Sequence, residues 1–299
     1  MYFFPHYSSK PRVLPMTSTL DPLPALVQLQ QDVSSTVSAM RAATPLVHNI
    51  TNLVVMHTTA NALLAVGASP IMAHAEEELP EMLRFAAALV LNIGTLDTRW
   101  IAAMRLAGDL ARQYDLPAVL DPVGAGASAL RTETACTLLE TARPAVLRGN
   151  ASEIMAVAGT HAASRGVDSL CGSNAALEAA RTLALRYGCV VSVSGEQDLI
   201  TDGRMLLRIG GGSPLMTRVT GMGCTSSAIT AACLAGARKA GCSALSGAAA
   251  GMAIMAEAGE CAARHCAGPG SFLIHFLDSL ATLTPADAAK HLIAAEPLC

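Results

Sequence analysis

Aromatic residues make up only 3% of the 299-residue chain, although 52% of it is hydrophobic. Much of that apolar content is alanine, which favours helices packed closely through small side chains. Basic charge is not in excess: 20 Lys and Arg face 23 Asp and Glu, a formal net charge of −3. No global field therefore draws nucleic acid or an anionic membrane. The nine cysteines include no CxxC pair and no Cys/His cluster at zinc spacing. That excludes a disulfide framework and makes a reducing cytoplasm the expected compartment. Long apolar runs are missing too. Residues 244–258 are rich in Ala and Gly rather than Leu, and Glu257 and Glu260 close the stretch; it predicts a buried helix, not a membrane span. The first 20 residues lack a continuous apolar core and carry three prolines. They read as a disordered arm without a signal peptide, and Met16 is an alternative start.

What is present is an alternation of short apolar runs with helical patterns. Helices are expected over residues 23–43, 98–114 and 173–187, and from Thr51-Asn52, as a cap, to Val66 and the closing Gly67. The acidic triplet Glu76-Glu77-Glu78 suits the first turn of another. Strands are expected at 46–50, 68–73, 87–93, 118–120, 145–147 and 190–194, with a hairpin over 198–212 turning at Asp202-Gly203. The C-terminal third reads as helices. With no interdomain linker, residues 21–299 form a single α/β domain on a mostly parallel sheet. Ligands bind beyond the carboxyl ends of such strands. Thr95, Asp121, Arg148, Ser194 and Glu196 all fall at those ends.

The densest signal is residues 219–236, VTGMGCTSSAITAACLAG. Gly221 and Gly223 frame a tight turn and a helix follows, so unpaired N–H groups face an anion. Cys224 sits at the helix start, where the dipole is expected to lower its thiol pKa; the plainer reading is a turn followed by a buried cysteine. Asp121, in DPVGAG, suits magnesium held through water or a turn cap. Glu153, in NASE, either joins that metal site or completes a helix cap at its third position. Arg148 offers a fork for phosphate, or a structural salt bridge. Ser194, before Gly195-Glu196, gives a hydroxyl and close backbone approach to phosphate, or an ordinary strand exit. His48 is a substrate hydrogen-bonder or a core histidine, and Met72 an apolar contact to a ring or simply core.

Taken in order, PLVHNITNLVVMHTTANALLAVGASPIMAHAEEE, LVLNIGTLD, LDPVGAGAS, LRGNASEI, SGEQDLITDG and VTGMGC resemble hydroxyethylthiazole kinases of the thiamin pathway, over residues 45–280. The first and last motifs are specific, whereas DPVGAG and the NxxE-like piece are shared more widely among ribokinase-like kinases. The resemblance implies a ribokinase-like three-layer α/β/α sandwich without a lid. It implies transfer of the ATP γ-phosphate to the primary alcohol of 4-methyl-5-(2-hydroxyethyl)thiazole with Mg²⁺. By motif, Met72 and Gly221 would bind thiazole, Arg148 and Ser194 would bind ATP, Asp121 and Glu153 would organise magnesium, and Cys224 would stand where related sugar kinases carry a catalytic Asp. The family's trimers place sites between subunits, so His48, Asn52 and Met72 would serve a neighbour's site. Met222 departs from the commoner Ala or Thr and narrows the pocket. Kinases for pyridoxal or hydroxymethylpyrimidine are the nearest alternatives. A Cys224 nucleophile in a hydrolase or acyltransferase would need a histidine partner, and a non-catalytic nucleotide-binding regulator would bind ATP without turnover.

Overall fold

The computed structural model describes residues 22–160 and 169–298; the expected N-terminal arm lies outside them. The first half runs α1 (Pro22–Ala43), β1 (Leu46–Ile50), α2 (Met56–Val66), β2 (Ser69–Ile71), α3 (Leu79–Phe85), β3 (Ala88–Asn92), α4 (Thr98–Gln113), β4 (Ala118–Asp121), α5 (Ala129–Ala142), β5 (Val146–Asn150) and α6 (Ala151–Val157). The second half continues with α7 (Ser169–Tyr187), β6 (Val190–Ser194), β7 (Asp198–Thr201), β8 (Met205–Ile209), a 3-10 turn at Pro214–Arg218, α8 (Met222–Ala240), α9 (Ala244–His265), α10 (Pro269–Thr282), α11 (Pro285–Ala289) and β9 (Leu292–Pro297). All nine strands join one sheet in the order β2-β1-β3-β4-β5-β6-β7-β8-β9. The first six pair in parallel, and β7, β8 and β9 are added antiparallel.

Both faces of this sheet are covered. In β3, Ala88 and Val90 pack into one apolar cluster with α1, α2, α8, α9 and α10. Leu89 and Leu91 point the other way, into a cluster with α3 to α7. Alternation with period two, apolar on both faces, is why the central strands read as continuous hydrophobic runs. The result is the expected α/β/α sandwich.

Alanine and glycine let the helices on the first face approach closely. A methyl added at Gly236 of α8 would lie 2.6 Å from both the Thr36 carbonyl oxygen and the Met40 Cβ of α1. Gly251 of α9 seats in the same way on Thr230 of α8. Gly236→Ala should therefore destabilise the protein by about 1–3 kcal/mol, even though alanine is the better helix former. Urea unfolding reads this directly, and a variant as stable as the parent would show that α1 is free to move aside.

Several boundaries correct the sequence reading. Helix α5 had no expectation because ALRTETACTLLETA lacks a clean apolar stripe; Ser128 caps it by accepting the Arg131 N–H at 3.3 Å. Strand β9 lies where the sequence predicts a helical tail: LIAAEP is an edge strand and its Pro297 is tolerated there. Thr51-Asn52 does not cap α2, which starts four residues after Asn52 with no side-chain cap. Asn52 turns inward instead. The acidic triplet lies in the turn before α3, with Glu78 at the cap position making no side-chain cap bond.

Candidate active site

Strands β1, β3, β4, β5 and β6 all end on the same edge of the sheet, and the polar residues at those ends meet the start of α8. Gly221 precedes that helix with φ +87°. A side chain there would be strained, and its Cβ would sit 2.8 Å from Val55 Cγ1. The first helical hydrogen bond runs from the Thr225 N–H to the Gly221 carbonyl at 2.8 Å. The N–H groups of Met222, Gly223 and Cys224 therefore have no acceptor in the preceding turn, which makes an anion cradle.

Arg148 leans onto this cradle: a Cβ on Gly223 would stand 2.9 Å from its Nη1. Arg148 is 7% exposed, and among the described residues it has neither close ion pair nor hydrogen bond, its Nε being buried and unpartnered. The competing salt-bridge reading thus fails. Asp121 and Asp198 feel its charge without bonding to it, and a buried guanidinium with its donors unused is costly unless an anion joins it.

Across from it, Asp121 ends β4 almost fully buried. Its Oδ2 accepts from Ser227 Oγ and from Asn92 Nδ2, each at 2.7 Å. Asn92 Oδ1 accepts from Asn52 Nδ2 at 2.9 Å, and the same Nδ2 reaches Cys224 Sγ at 3.2 Å. A polar chain therefore links the thiol to the carboxylate. Burial pushes the Asp121 carboxyl up to about 6; Arg148 opposes that shift and the charge of Glu153 adds to it.

The expected low thiol pKa at Cys224 is reversed. Burial, followed by the Asp121 charge, drives it up to about 11, and the bonds from Asn92 and Asn52 and the nearby Arg148 do not compensate. At neutral pH the group is a thiol. Its partner is an amide rather than a histidine, so the arrangement of a cysteine nucleophile is not built here.

Glu153 realises the capping alternative. Asn150 Oδ1 accepts the Glu153 N–H at 2.9 Å, Glu153 Oε2 accepts the Asn150 N–H at 2.9 Å, and Oε1 accepts the Gly124 N–H at 2.9 Å. One carboxylate thus pins the DPVGAG loop to α6 while keeping further lone pairs. Ser194 ends β6, its hydroxyl 3.4 Å from the Gly149 carbonyl.

These groups line a single cavity of about 990 Å³, which brings together Asp121, Arg148, Glu153, Ser194, Gly221 and Cys224. Asn52 reaches it through Cys224. The other wall, from the loop after β8 and from α9, carries Gly211, Gly212, Met216, Met252 and Met255. His48 and Met72 do not line this cavity. His48 is buried, with Nε2 2.8 Å from the Ala73 carbonyl, and Met72 follows β2, the outermost strand on that side. Sequence reasoning missed Asn92, Ser227 and Asp198, the last lining the cavity and accepting the Gly195 N–H at 3.0 Å. Asn92 was discoverable as the polar end of LVLN; Ser227 shows only as one turn beyond Cys224.

An open, mostly parallel sheet, an anion cradle at a helix start, a buried arginine with its donors unused and a buried acid beyond the strand ends define a ribokinase-like small-molecule kinase. Pyridoxal kinase from Staphylococcus aureus shares this fold, with a TM-score of 0.55 at 19% identity over 72% of this chain and 87% of that one. The hydroxyethylthiazole kinase family model matches residues 37–286, and the chain belongs to that family. It is 58% identical over 247 residues to the hydroxyethylthiazole kinase of Nitratidesulfovibrio vulgaris strain DP4, covering 83% of this chain and 91% of the relative. To that of Brachyspira hyodysenteriae it is 52% identical, covering 88% and 97%. The solved hydroxyethylthiazole kinase of Pyrococcus horikoshii OT3 superposes with a TM-score of 0.80 at 38% identity, covering 90% of this chain and 99% of that one.

Proposed function

We propose that the protein transfers the γ-phosphate of ATP to the primary hydroxyl of 4-methyl-5-(2-hydroxyethyl)thiazole, giving the thiazole phosphate and ADP for thiamin biosynthesis or salvage. The observation that carries this reading is Arg148, a buried guanidinium that makes no hydrogen bond among the described residues, seated on Gly223 at the helix start. Arg148 and the N–H groups of residues 222–224 hold the transferring phosphoryl, and Ser194 holds a neighbouring phosphate. β8 lies three strands from β5, about 14 Å at ordinary strand spacing. That span lets Met216 and the loop after β8 receive the nucleotide base while Arg148 holds the phosphates.

Asp121 and Glu153 would hold Mg²⁺ through water. Their mutual repulsion and the burial that raises Asp121 are both relieved by a cation, so the donor set fits one. Bound there, magnesium screens the phosphate oxygens on which charge accumulates. Gly221 and Cys224 flank the acceptor alcohol, with Cys224 held in place by Asn52. Phosphoryl transfer asks mainly for positioning, so a weakly acidic thiol suffices. If Cys224 also takes the hydroxyl proton, kcat should climb with pH toward about 11, and Cys224→Ala should lower it about tenfold and flatten that rise. A rise that persists in the variant would assign the proton to another group.

Met72 acts on a neighbour's site in a homotrimer, and His48, buried behind it, supports that segment through the Ala73 carbonyl. The edge position of β2 and the exposed Leu53, Val54 and Leu64 support that assembly. Light scattering of the purified protein tests it, a monomer being the contrary result. Residues 21–299 act as one kinase domain. All seven cysteines whose state is described are free, and among the described residues no helix is long and apolar enough to cross a membrane; both features support work in the reducing cytoplasm.

The deciding experiment measures ADP release with ATP and Mg²⁺ and compares hydroxyethylthiazole, pyridoxal and hydroxymethylpyrimidine as acceptors. Thiazole-dependent turnover supports the assignment. Turnover with only another acceptor keeps the fold and removes the substrate, and ATP binding without turnover would indicate a regulator.

A further inference from the structure

Behind the methionine-lined wall of the cavity lies a cluster of charged groups that the reaction itself does not use. His291, between α11 and β9, is 6% exposed and has both ring nitrogens engaged. Nδ1 lies 2.8 Å from the Gly210 carbonyl, and Nε2 lies 2.6 Å from Oε2 of the buried Glu257 on α9. A carbonyl and a carboxylate both accept, so a ring that donates from both nitrogens, the imidazolium, satisfies the pair, whereas a neutral ring satisfies one. The other charged groups around it are Lys290, whose Nζ is 3.0 Å from Glu257 Oε2, and Glu260, whose Oε2 is 4.0 Å from the ring and whose other oxygen pairs with Arg264 at 3.1 Å. Burial pushes the Glu257 carboxyl up, but bonds from Cys261, His291 and Lys290 outweigh it and hold the group below its usual range.

The backbone above this ring is committed to it. The Gly210 N–H donates to the His291 carbonyl at 3.0 Å, so residue 291 grips Gly210 from main chain and side chain together. Gly211 has φ +102°, and a Cβ there would lie 2.4 Å from His291 Nδ1. Only glycine allows the loop to rest directly on the imidazole. Gly211 and Gly212 then face the cavity, as do Glu260 and Ala256, the latter adjacent to Glu257 on α9.

We propose that His291, clamped between Glu257 and the Gly210 carbonyl, is a positioning residue that fixes residues 210–212 as the wall against which the nucleotide base packs. The inference rests on the reading that this cavity takes ATP with its base on the β8 and α9 side. It predicts a selective defect: recognition of the base depends on the clamp, and recognition of the phosphates at Arg148 does not.

The test titrates the full-length protein with ADP and, separately, with inorganic pyrophosphate by calorimetry, and measures the KM for hydroxyethylthiazole. In His291→Leu the Kd for ADP should rise about tenfold, the effect of losing a buried charge-assisted hydrogen bond. The Kd for pyrophosphate and the thiazole KM should stay within about twofold of the parent. Glu257→Gln keeps an acceptor and the side-chain volume, so it should show the same selectivity with a smaller rise in the ADP Kd. It decides the question if the leucine variant fails to fold. Unchanged ADP affinity in a folded variant, or equal weakening of ADP and pyrophosphate, overturns the clamp while leaving the nucleotide site standing. A parent protein that binds pyrophosphate but gains nothing from the adenosine of ADP overturns the placement of the base, and the clamp with it.

Discussion

Replacing Arg148 by alanine should lower kcat/KM for ATP by about three orders of magnitude, the scale on which a single arginine stabilises a transferring phosphoryl group. The fold should lose little stability by the change. The side chain makes no hydrogen bond or close ion pair among the described residues, so truncation breaks none; what it removes from the fold is a longer-range attraction to Asp121 and Asp198, set against the cost of burying the guanidinium. Arg148→Lys should recover only part of the activity, because a point charge replaces a planar fork. Steady-state kinetics over a range of ATP concentrations, alongside thermal unfolding of each variant, separates the two effects. A variant that unfolds early would mean the guanidinium supports the fold, and it would remove the main support for the phosphate site.

Exchanging Asp121 for asparagine should abolish turnover to below about one part in a thousand while making the ligand-free protein more stable. Asparagine can still accept from Asn92 and Ser227 through its carbonyl, but it carries no charge to burden the interior or to organise a cation. The carboxyl's folded value of about 6 lies above its reference value of 3.8. The folded state therefore binds the proton more tightly than the unfolded state, and the parent loses stability as pH rises from about 4 to about 6, then stays level. Two pH units correspond to about 3 kcal/mol. In the presence of EDTA the variant should exceed the parent by up to about that amount above pH 6, and the gap should close toward pH 4. A gap that does not change with pH would show that the charge on Asp121 is not what the fold resists.

Much of this site could be read before the structure, because its parts sit where local rules are strongest. Asp121, Arg148 and Ser194 each end or nearly end an apolar run, and Gly221 and Gly223 announce a turn. What could not be read depends on distant contacts. Asn52 looked like a helix cap because asparagine favours caps, yet it answers to Asn92 and Cys224, 40 and 172 residues away. The helix start argued for a thiolate at Cys224, but burial outweighs that local effect. For Glu153 the two expected roles are compatible, since a carboxylate that caps α6 and ties down Gly124 still faces the cavity. Helix α5 escaped notice for lack of a stripe, and β9 because its register depends on β8.

Helix α8 is buried along nearly its whole length, from Thr225 to Ala237, and it meets α1 and α9 through contacts too close for an extra methyl. Its amides should thus be among the slowest in the molecule to exchange with deuterium, opening only when the whole domain unfolds. The cradle at its first turn is therefore fixed to the least yielding part of the chain. Nucleotides would arrive at donors already in place, with their ordering cost met when the protein folded and not again at each turnover.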